Sequence, residues 1–255
     1  MNGDATLDAD LERRFGGLRR LYGDAAYARL RALRVAVVGV GGVGSWAAEA
    51  LARSGVATLV LIDLDQVAES NINRQIQAVG ATVGQAKVQA LAARVADIHP
   101  ACRVLQVEEF VEPELWPALL PEPVDVLIDA CDQVRAKATL AAWGRATGVP
   151  VVCCGAAGGK RQPQRLEVDD LSAVTHDPLL ASLRNRLRRE HGAPRQGRVG
   201  LRCVFSRESV APPAGGACDT DGSLNCHGYG SSVMVTASFG MAAAAEAVAS
   251  ALKGL

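Results

Sequence analysis

Short apolar runs alternate along the chain with stretches of helical periodicity, and this alternation predicts the fold class before any chemistry is considered. Arg34-Val35-Ala36-Val37-Val38, Thr58-Leu59-Val60-Leu61-Ile62, Val124-Asp125-Val126-Leu127-Ile128 and Val149-Pro150-Val151-Val152 are rich in β-branched residues. Each is too short for a helix, as expected of strands buried on both faces. Between the first two lies a helical stretch, Trp46-Ala47-Ala48-Glu49-Ala50-Leu51-Ala52. The pattern predicts an α/β fold: a doubly wound, mainly parallel sheet flanked by helices. The segment between His191 and Gly222 is rich in Gly, Pro and Ser and reads as loops, mobile until a partner binds. Ser231–Leu252 is nearly all small and apolar, long enough to span a bilayer. Glu246 lies within it, and Ala, Gly and Ser give little transfer energy, so a buried closing helix is expected and a membrane span is not.

The first strand runs into Gly39-Val40-Gly41-Gly42-Val43-Gly44-Ser45. Gly39, Gly41 and Gly44 match G-x-G-x-x-G between a strand and a helix, the context in which that motif cradles phosphate. Glycines permit the tight turn and a close backbone approach, while the N–H groups and dipole of the helix start attract an anion. An acid about 20 residues on, at the end of the next strand, binds ribose hydroxyls; Asp63 fits. As far as Asp63, the pattern suits a dehydrogenase equally well. The expected organisation is a helical arm over 1–29, a Rossmann-like nucleotide half over 30–155, and, within the same domain, a substrate-facing half over 156–255.

The residues beyond Asp63 point away from a dehydrogenase. Asp65, Asn71, Asn73, Arg74 and Gln75 crowd polar groups past a strand end, where ligands of open α/β sheets bind. Nicotinamide needs a flat apolar slot, whereas breaking a triphosphate needs cations and hydrogen-bond donors around the moving charge. Arg74 and Lys87 supply cations, and a later strand ends in Asp129-Ala130-Cys131-Asp132. A carboxylate at a strand end beside phosphates is a natural magnesium ligand. Taken singly, Lys87 reads as readily as a solvated helix residue and Asp132 as a helix N-cap.

The ordered set Gly-x-Gly-Gly-x-Gly-Ser, Asp-x-Asp-x-Val, Ser-Asn-x-Asn-Arg-Gln, Val-Gly-x-x-Lys and Asp-x-x-Asp resembles the adenylating enzymes related to ubiquitin activation. Their prokaryotic members include the molybdopterin-synthase and thiamine-sulfur-carrier adenylyltransferases. The resemblance implies that ATP with Mg²⁺ adenylates a carboxylate and releases pyrophosphate. By motif, Gly39, Gly41, Gly42 and Gly44 form the nucleotide turn, with Asp65 and Gln75 beside it. Asp63 binds ribose, Asn71, Arg74 and Lys87 hold the phosphates, and Asp132 binds the metal. Related enzymes are homodimers in which an N-terminal arginine reaches the partner's ATP. Arg13, Arg14, Arg19 and Arg20 are candidates, with Arg14 favoured because it opens Arg14-Phe15-Gly16-Gly17, and Arg20 second.

Many siblings hold zinc with two Cys-x-x-Cys pairs. This chain has seven cysteines and no such pair, so no zinc is expected. An odd cysteine count without framework spacing, and no signal peptide, fit a reducing cytoplasmic setting. Further segments resemble one branch, the tRNA threonylcarbamoyladenosine dehydratases. These are Arg20-Leu21-Tyr22-Gly23, Gly155-Ala156-Ala157-Gly158-Gly159, Asp177-Pro178-Leu179, Cys203-Val204-Phe205-Ser206 and Gly228-Tyr229-Gly230. That branch uses ATP to close the threonylcarbamoyl group at position 37 of certain tRNAs into a ring. The carbamoyl group attacks the adenylated carboxylate of its own side chain, so neither a covalent cysteine nor a carrier protein is required. Cys226 is a secondary candidate for a transient thioester, with His227 only a sequence neighbour. Cys153 and Cys154 read equally as reactive or buried.

The 27 Lys and Arg residues balance the 27 Asp and Glu, so no global basic excess announces a nucleic acid. Local clustering does: Arg184, Arg186, Arg188 and Arg189 lead a run that extends to Arg195, Arg198 and Arg202, with Lys160, Arg161 and Arg165 shortly before. The ordinary alternative is a solvated helix face. The partners implied are tRNA, ATP, a second copy of the chain and sulfur-relay proteins. The competing readings are a carrier-protein adenylyltransferase and a non-catalytic nucleotide-binding scaffold.

Overall fold

The structure, a computed structural model, describes residues 10–211 and 229–254. Two helices precede the sheet: α1 (Leu11–Tyr22), capped by the Asp10 carboxylate on the Arg13 N–H, and α2 (Asp24–Arg31). The nucleotide half then alternates β1 (Arg34–Val38), α3 (Gly44–Arg53), β2 (Thr58–Ile62), α4 (Lys87–Ile98), β3 (Arg103–Val107), β4 (Val126–Asp129), α5 (Val134–Thr147) and β5 (Val151–Cys154). The second half adds β6 (Leu166–Asp170), α6 (Pro178–Glu190), β7 (Arg202–Ser206) and α7 (Val233–Ala251). The seven strands lie in the order β3-β2-β1-β4-β5-β7-β6. All neighbouring pairs are parallel except β6, which runs antiparallel along the edge of β7.

The unbroken apolar runs of β1, β2, β4 and β5 follow from their position. Each is buried between two helical layers, so alternation would bury polar side chains. On one face, Val35, Val37, Leu59 and Leu61 pack with Leu51, Leu91, Phe239 and Ala243. On the other, Ala36, Val60, Leu127 and Cys203 pack with Leu140, Leu180, Leu183 and Leu187.

The closing helix α7 passes a length-and-apolarity test for a membrane span, with a mean hydropathy of 1.4 over its window. It is instead a wall of the core, burying Val235, Phe239, Ala243, Ala247 and Val248. A Cβ on Gly240 would stand 2.5 Å from the Val43 carbonyl oxygen and 2.6 Å from the Trp46 Cβ, so only glycine lets α7 approach α3 this closely. Glu246, the one carboxylate in the helix, accepts from the Arg202 Nε at 2.7 Å.

One expectation is overturned. The stretch after His191 is not all loop, because Arg202–Ser206 forms a strand between β5 and β6, with Cys203, Val204, Phe205 and Ser206 all buried. Flanking glycines at 197 and 200, both at positive φ, gave the segment its loop-like composition. A five-residue strand buried on both faces carries no alternation to offset that composition.

Candidate nucleotide site

The chain winds outward from β1 to β2 and β3, then returns to lay β4 on the other side of β1. Ligands of such sheets bind in the crevice beyond the C-terminal strand ends, where the winding reverses. Gly39 sits there with φ of 79°, and a Cβ on it would meet the Cys131 N at 2.9 Å and the Ala130 carbonyl oxygen at 3.0 Å. The Gly39 turn and the loop after β4 are therefore in backbone contact. A Cβ on Gly44 would lie 1.8 Å from the Gly39 oxygen, so the turn closes only with glycine at that position. Gly42 faces the Thr236 Cγ2 of α7 and the Arg74 Cγ, and Gly41 faces Gln75. Helix α3 begins at Gly44 without a side-chain cap, which presents its positive end to an incoming anion.

Asp63 is buried at the end of β2 and accepts from the Val40 N–H at 2.8 Å and the Asp65 N–H at 3.0 Å. Burial raises its pKa, and Lys87 opposes that rise. Lys87 is itself buried at the first residue of α4, with Nζ 2.6 Å from Asp65 Oδ2 and 3.9 Å from Asp63 Oδ1. The sequence alternative of a solvated helix lysine is not what the fold provides.

Arg74 lies in the same rim, half-buried, with one Nη on the Ser70 carbonyl at 2.6 Å and on Asn73 Oδ1 at 3.0 Å. Two residues that the sequence did not single out fix its backbone. The Trp46 Nε1 and the Thr236 Oγ1 both donate to the Arg74 carbonyl, at 2.9 and 3.3 Å. Sequence periodicity reads both simply as helix residues. Asn71 is buried, and its side-chain oxygen accepts from the Ala68 N–H at 3.0 Å, so that oxygen serves its own turn. Gln75 is likewise buried, accepting from the Gln77 Nε2 at 3.2 Å.

After β4 the two acids of Asp-x-x-Asp part company. Asp129 is fully buried and paired with the equally buried Lys137, whose Nζ lies 3.1 Å from Asp129 Oδ1 and 2.7 Å from the Cys154 carbonyl. Lys137 therefore ties the end of β4 to the end of β5, a role visible only once α5 is folded over them. Asp129 Oδ1 also accepts from the Cys131 N–H, at 3.2 Å, which orients the loop to Asp132. Asp132 is exposed on that loop, and the cap of α5 is Gln133, so the capping alternative is not taken up. Among the described residues no cluster of three or more His, Cys, Asp or Glu side chains could hold a metal alone. A lone exposed carboxylate fits the sparse protein donor set that Mg²⁺ takes when phosphate oxygens and water complete its shell.

Burial holds the thiols near the site above their ordinary pKa. Cys153 and Cys154 are buried in β5; burial pushes the Cys154 thiol up to about 12, and Cys153 is raised as well. Burial and the neighbouring Asp129 carboxylate also raise Cys131. None supplies a thiolate at neutral pH. Cys226 lies outside the described residues.

The remaining predicted residues lie elsewhere. Arg14 donates to the Asp97 and Ile98 carbonyls at 3.0 and 2.6 Å, closing the C-terminus of α4 in its own chain. Its neighbour Phe15 packs on His99 with ring centroids 4.7 Å apart. Because α4 starts at the nucleotide rim with Lys87, its end lies at the far edge of the sheet. Arg20 is exposed. In α6, Arg184 donates to the Leu171 and Val174 carbonyls, both at 3.0 Å, and Arg188 to the Pro194 carbonyl at 3.2 Å. Arg186 and Arg189 each pair with Glu190 at 2.7 Å.

A glycine turn, a buried acid at the end of β2 and two cations beside them at the switch point define a nucleotide-binding α/β protein. The chain belongs to the ThiF family, which it matches over residues 14–254. It is 42% identical to the tRNA threonylcarbamoyladenosine dehydratase of Escherichia coli (strain K12), over 92% of both chains. It is 39% identical to the Haemophilus influenzae protein of the same name, over 95% of this chain and 94% of that one. The crystal structure of the E. coli dehydratase in complex with ATP superposes with a TM-score of 0.86 at 41% identity, covering 94% of each chain.

Proposed function

We propose that this protein is an ATP-dependent tRNA threonylcarbamoyladenosine dehydratase. The observation that carries the reading is Arg74 packed against Gly42 and Lys87 beside Asp63, the acid that accepts from the Val40 N–H of the same turn, with Asp132 on the loop whose backbone meets Gly39. A hydride-transfer site or a passive scaffold has no use for that set, and the likeness to dehydratases of that name runs the length of the chain. The turn and the start of α3 cradle the phosphates, while Asp63 takes the ribose hydroxyls. Arg74 and Lys87 stabilise the charge that develops as the threonyl carboxylate attacks the α-phosphorus and pyrophosphate leaves. The carbamoyl group of the same side chain then attacks the acyl carbon and releases an N–H proton, AMP departs with the bond electrons, and the net loss from the nucleoside is one water. Holding nucleophile and acyl carbon on one tethered group supplies a large effective molarity. Asp132 would hold Mg²⁺, which neutralises phosphate charge when bound.

The protein acts as a homodimer in this reading. Ile72, on the Arg74 loop, and Met234 and Met241, on α7, are exposed apolar side chains that suit a second copy. Arg20 takes over from Arg14 as the arm residue free to reach a partner's nucleotide, since Arg14 closes a helix in its own chain.

The test is incubation with bulk tRNA carrying threonylcarbamoyladenosine, read by mass spectrometry of the digested nucleosides. An ATP-dependent loss of one water, abolished by Asp132→Ala, is expected. An unchanged nucleoside, with pyrophosphate exchange appearing only on addition of a Gly-Gly-ended carrier protein, would replace this reading with a carrier adenylyltransferase.

A further inference from the structure

We infer that the surface receiving the tRNA backbone is the rim bearing Arg161 and Arg165, and not the arginine-rich helix α6. The inference rests on the dehydratase reading and concerns where its substrate lies. The two groups of arginines, neighbours in sequence, sit at opposite ends of the sheet. Strand β5 is parallel to β1, so its C-terminal end at Cys154 lies on the nucleotide side, and Gly155–Lys160 continue from it. Strand β7 is parallel to β5 and ends on the same side at Ser206. Strand β6 is antiparallel and begins there, with Leu166 opposite Ser206. Arg161 and Arg165 occupy the connection between Lys160 and β6, and both are exposed.

This connection joins the Arg74 loop through a chain of hydrogen bonds. Asn73 Nδ2 donates to the Ser231 carbonyl at 3.0 Å, and the Gly159 N–H donates to the neighbouring Gly230 carbonyl at 2.9 Å. The backbone at Arg161 is held firmly. Glu208, buried, accepts from the Arg161 N–H at 2.9 Å and from the Gln162 N–H at 2.8 Å. Lys160 is buried and donates inward to the Ser206 carbonyl at 3.0 Å, so it anchors the loop while the two guanidinium groups face solvent. The result is an anchored backbone presenting two exposed cations at the nucleotide end of the sheet, the arrangement that grips a phosphodiester chain without reading bases.

Helix α6 leads the other way. Its N-terminus lies on the nucleotide side, where the Asp177 carboxylate accepts from the Ala156 N–H. It descends to Glu190, and residues 193–200 cross the opposite edge, where Arg145 at the end of α5 donates to the Val199 carbonyl. Arg189, Arg195 and Arg198 are thus at least one strand length from the nucleotide edge, about 17 Å at roughly 3.3 Å per residue. Arg184 and Arg188 already bond backbone carbonyls, and Arg186 and Arg189 are paired with Glu190.

The experiment measures the affinity of the full-length protein for bulk tRNA across a salt series, with ATP affinity as the control for an intact fold. Arg161→Glu/Arg165→Glu should weaken tRNA binding roughly tenfold or more, and reduce the salt slope by about 1.5–2, the share of two phosphate contacts. Arg195→Glu/Arg198→Glu should leave affinity and slope close to wild type. If the wild type binds tRNA and the first variant keeps its slope, this inference is overturned and the dehydratase reading stands. If the wild type binds no tRNA at all, both fall together.

Discussion

Replacing Lys87 by Met separates the structural role of this lysine from its role toward ATP. The lysine lies 3.9 Å from Asp63, and the acid is buried with, among the described residues, two N–H donors, from Val40 and Asp65, to balance its charge. At that separation two unit charges attract by about 4 kcal/mol for an effective dielectric near 20. Removing one partner of a fully buried pair costs about 3–5 kcal/mol. Asp65, the closer partner at 2.6 Å, is half exposed and recovers its hydration, and Asp63 can take up a proton. A loss of about 2–3 kcal/mol is therefore expected, with melting lowered by about 4–12 °C for a chain of this size. Burial already raises the Asp63 pKa against the pull of Lys87, so losing the lysine raises it further. Adding Asp63→Asn to Lys87→Met removes the stranded charge, and thermal unfolding of the double variant should return toward wild type. Turnover should not return, because a cation facing developing phosphate charge commonly contributes about 10²–10³. If Lys87→Met melts like wild type and the second substitution changes nothing, Lys87 does not hold the Asp63 charge and the electrostatic pairing assigned to these two residues is wrong.

Two other outcomes are open to direct measurement. Gly44→Ala places a methyl 1.8 Å from the Gly39 oxygen and should abolish ATP binding by calorimetry while leaving a cooperative unfolding transition; retained affinity would show that the turn can rearrange. His99 is buried, its Nε2 accepts from Arg31 at 3.0 Å, and burial together with the Arg31 charge lowers its pKa to about 4. The unfolded chain therefore binds the extra proton between about pH 6.5 and 4, so stability is full above that window and falls by about 3 kcal/mol as pH drops through it. Urea unfolding of His99→Gln should lack that part of the pH dependence, and an identical profile would contradict the assignment.

How much of the molecule was legible in advance differs from segment to segment. The unbroken apolar runs of β1, β2, β4 and β5 announced a parallel sheet because strands covered on both faces tolerate few polar positions. The glycine turn was legible because part of its demand is local: Gly39 takes a φ of 79° and Gly44 answers to the Gly39 oxygen within the turn, whereas the approach of Gly39 to Ala130 and Cys131 joins residues distant in the chain. Strand β7 was obscured by the glycines around it, and its place between β5 and β6 depends on pairings far apart in the chain. Lys137 was invisible for the same reason, since the acid and carbonyl it joins lie 8 and 17 residues away.

The sequence by itself determined the fold class, the nucleotide turn and the identity of the polar groups past β2 and β4, because periodicity and turn sterics act over short spans of chain. Only the tertiary structure decided which of those groups are available. Asp132 is left exposed, while Asp129 is consumed by Lys137 and Arg14 by the end of α4. It likewise placed Arg161 and Arg165 on the nucleotide edge and the arginines beyond α6 on the far one. The physical reason is that a side chain's charge is written in the sequence, whereas its partners, its solvent and the end of the sheet it occupies are set by contacts between residues distant along the chain.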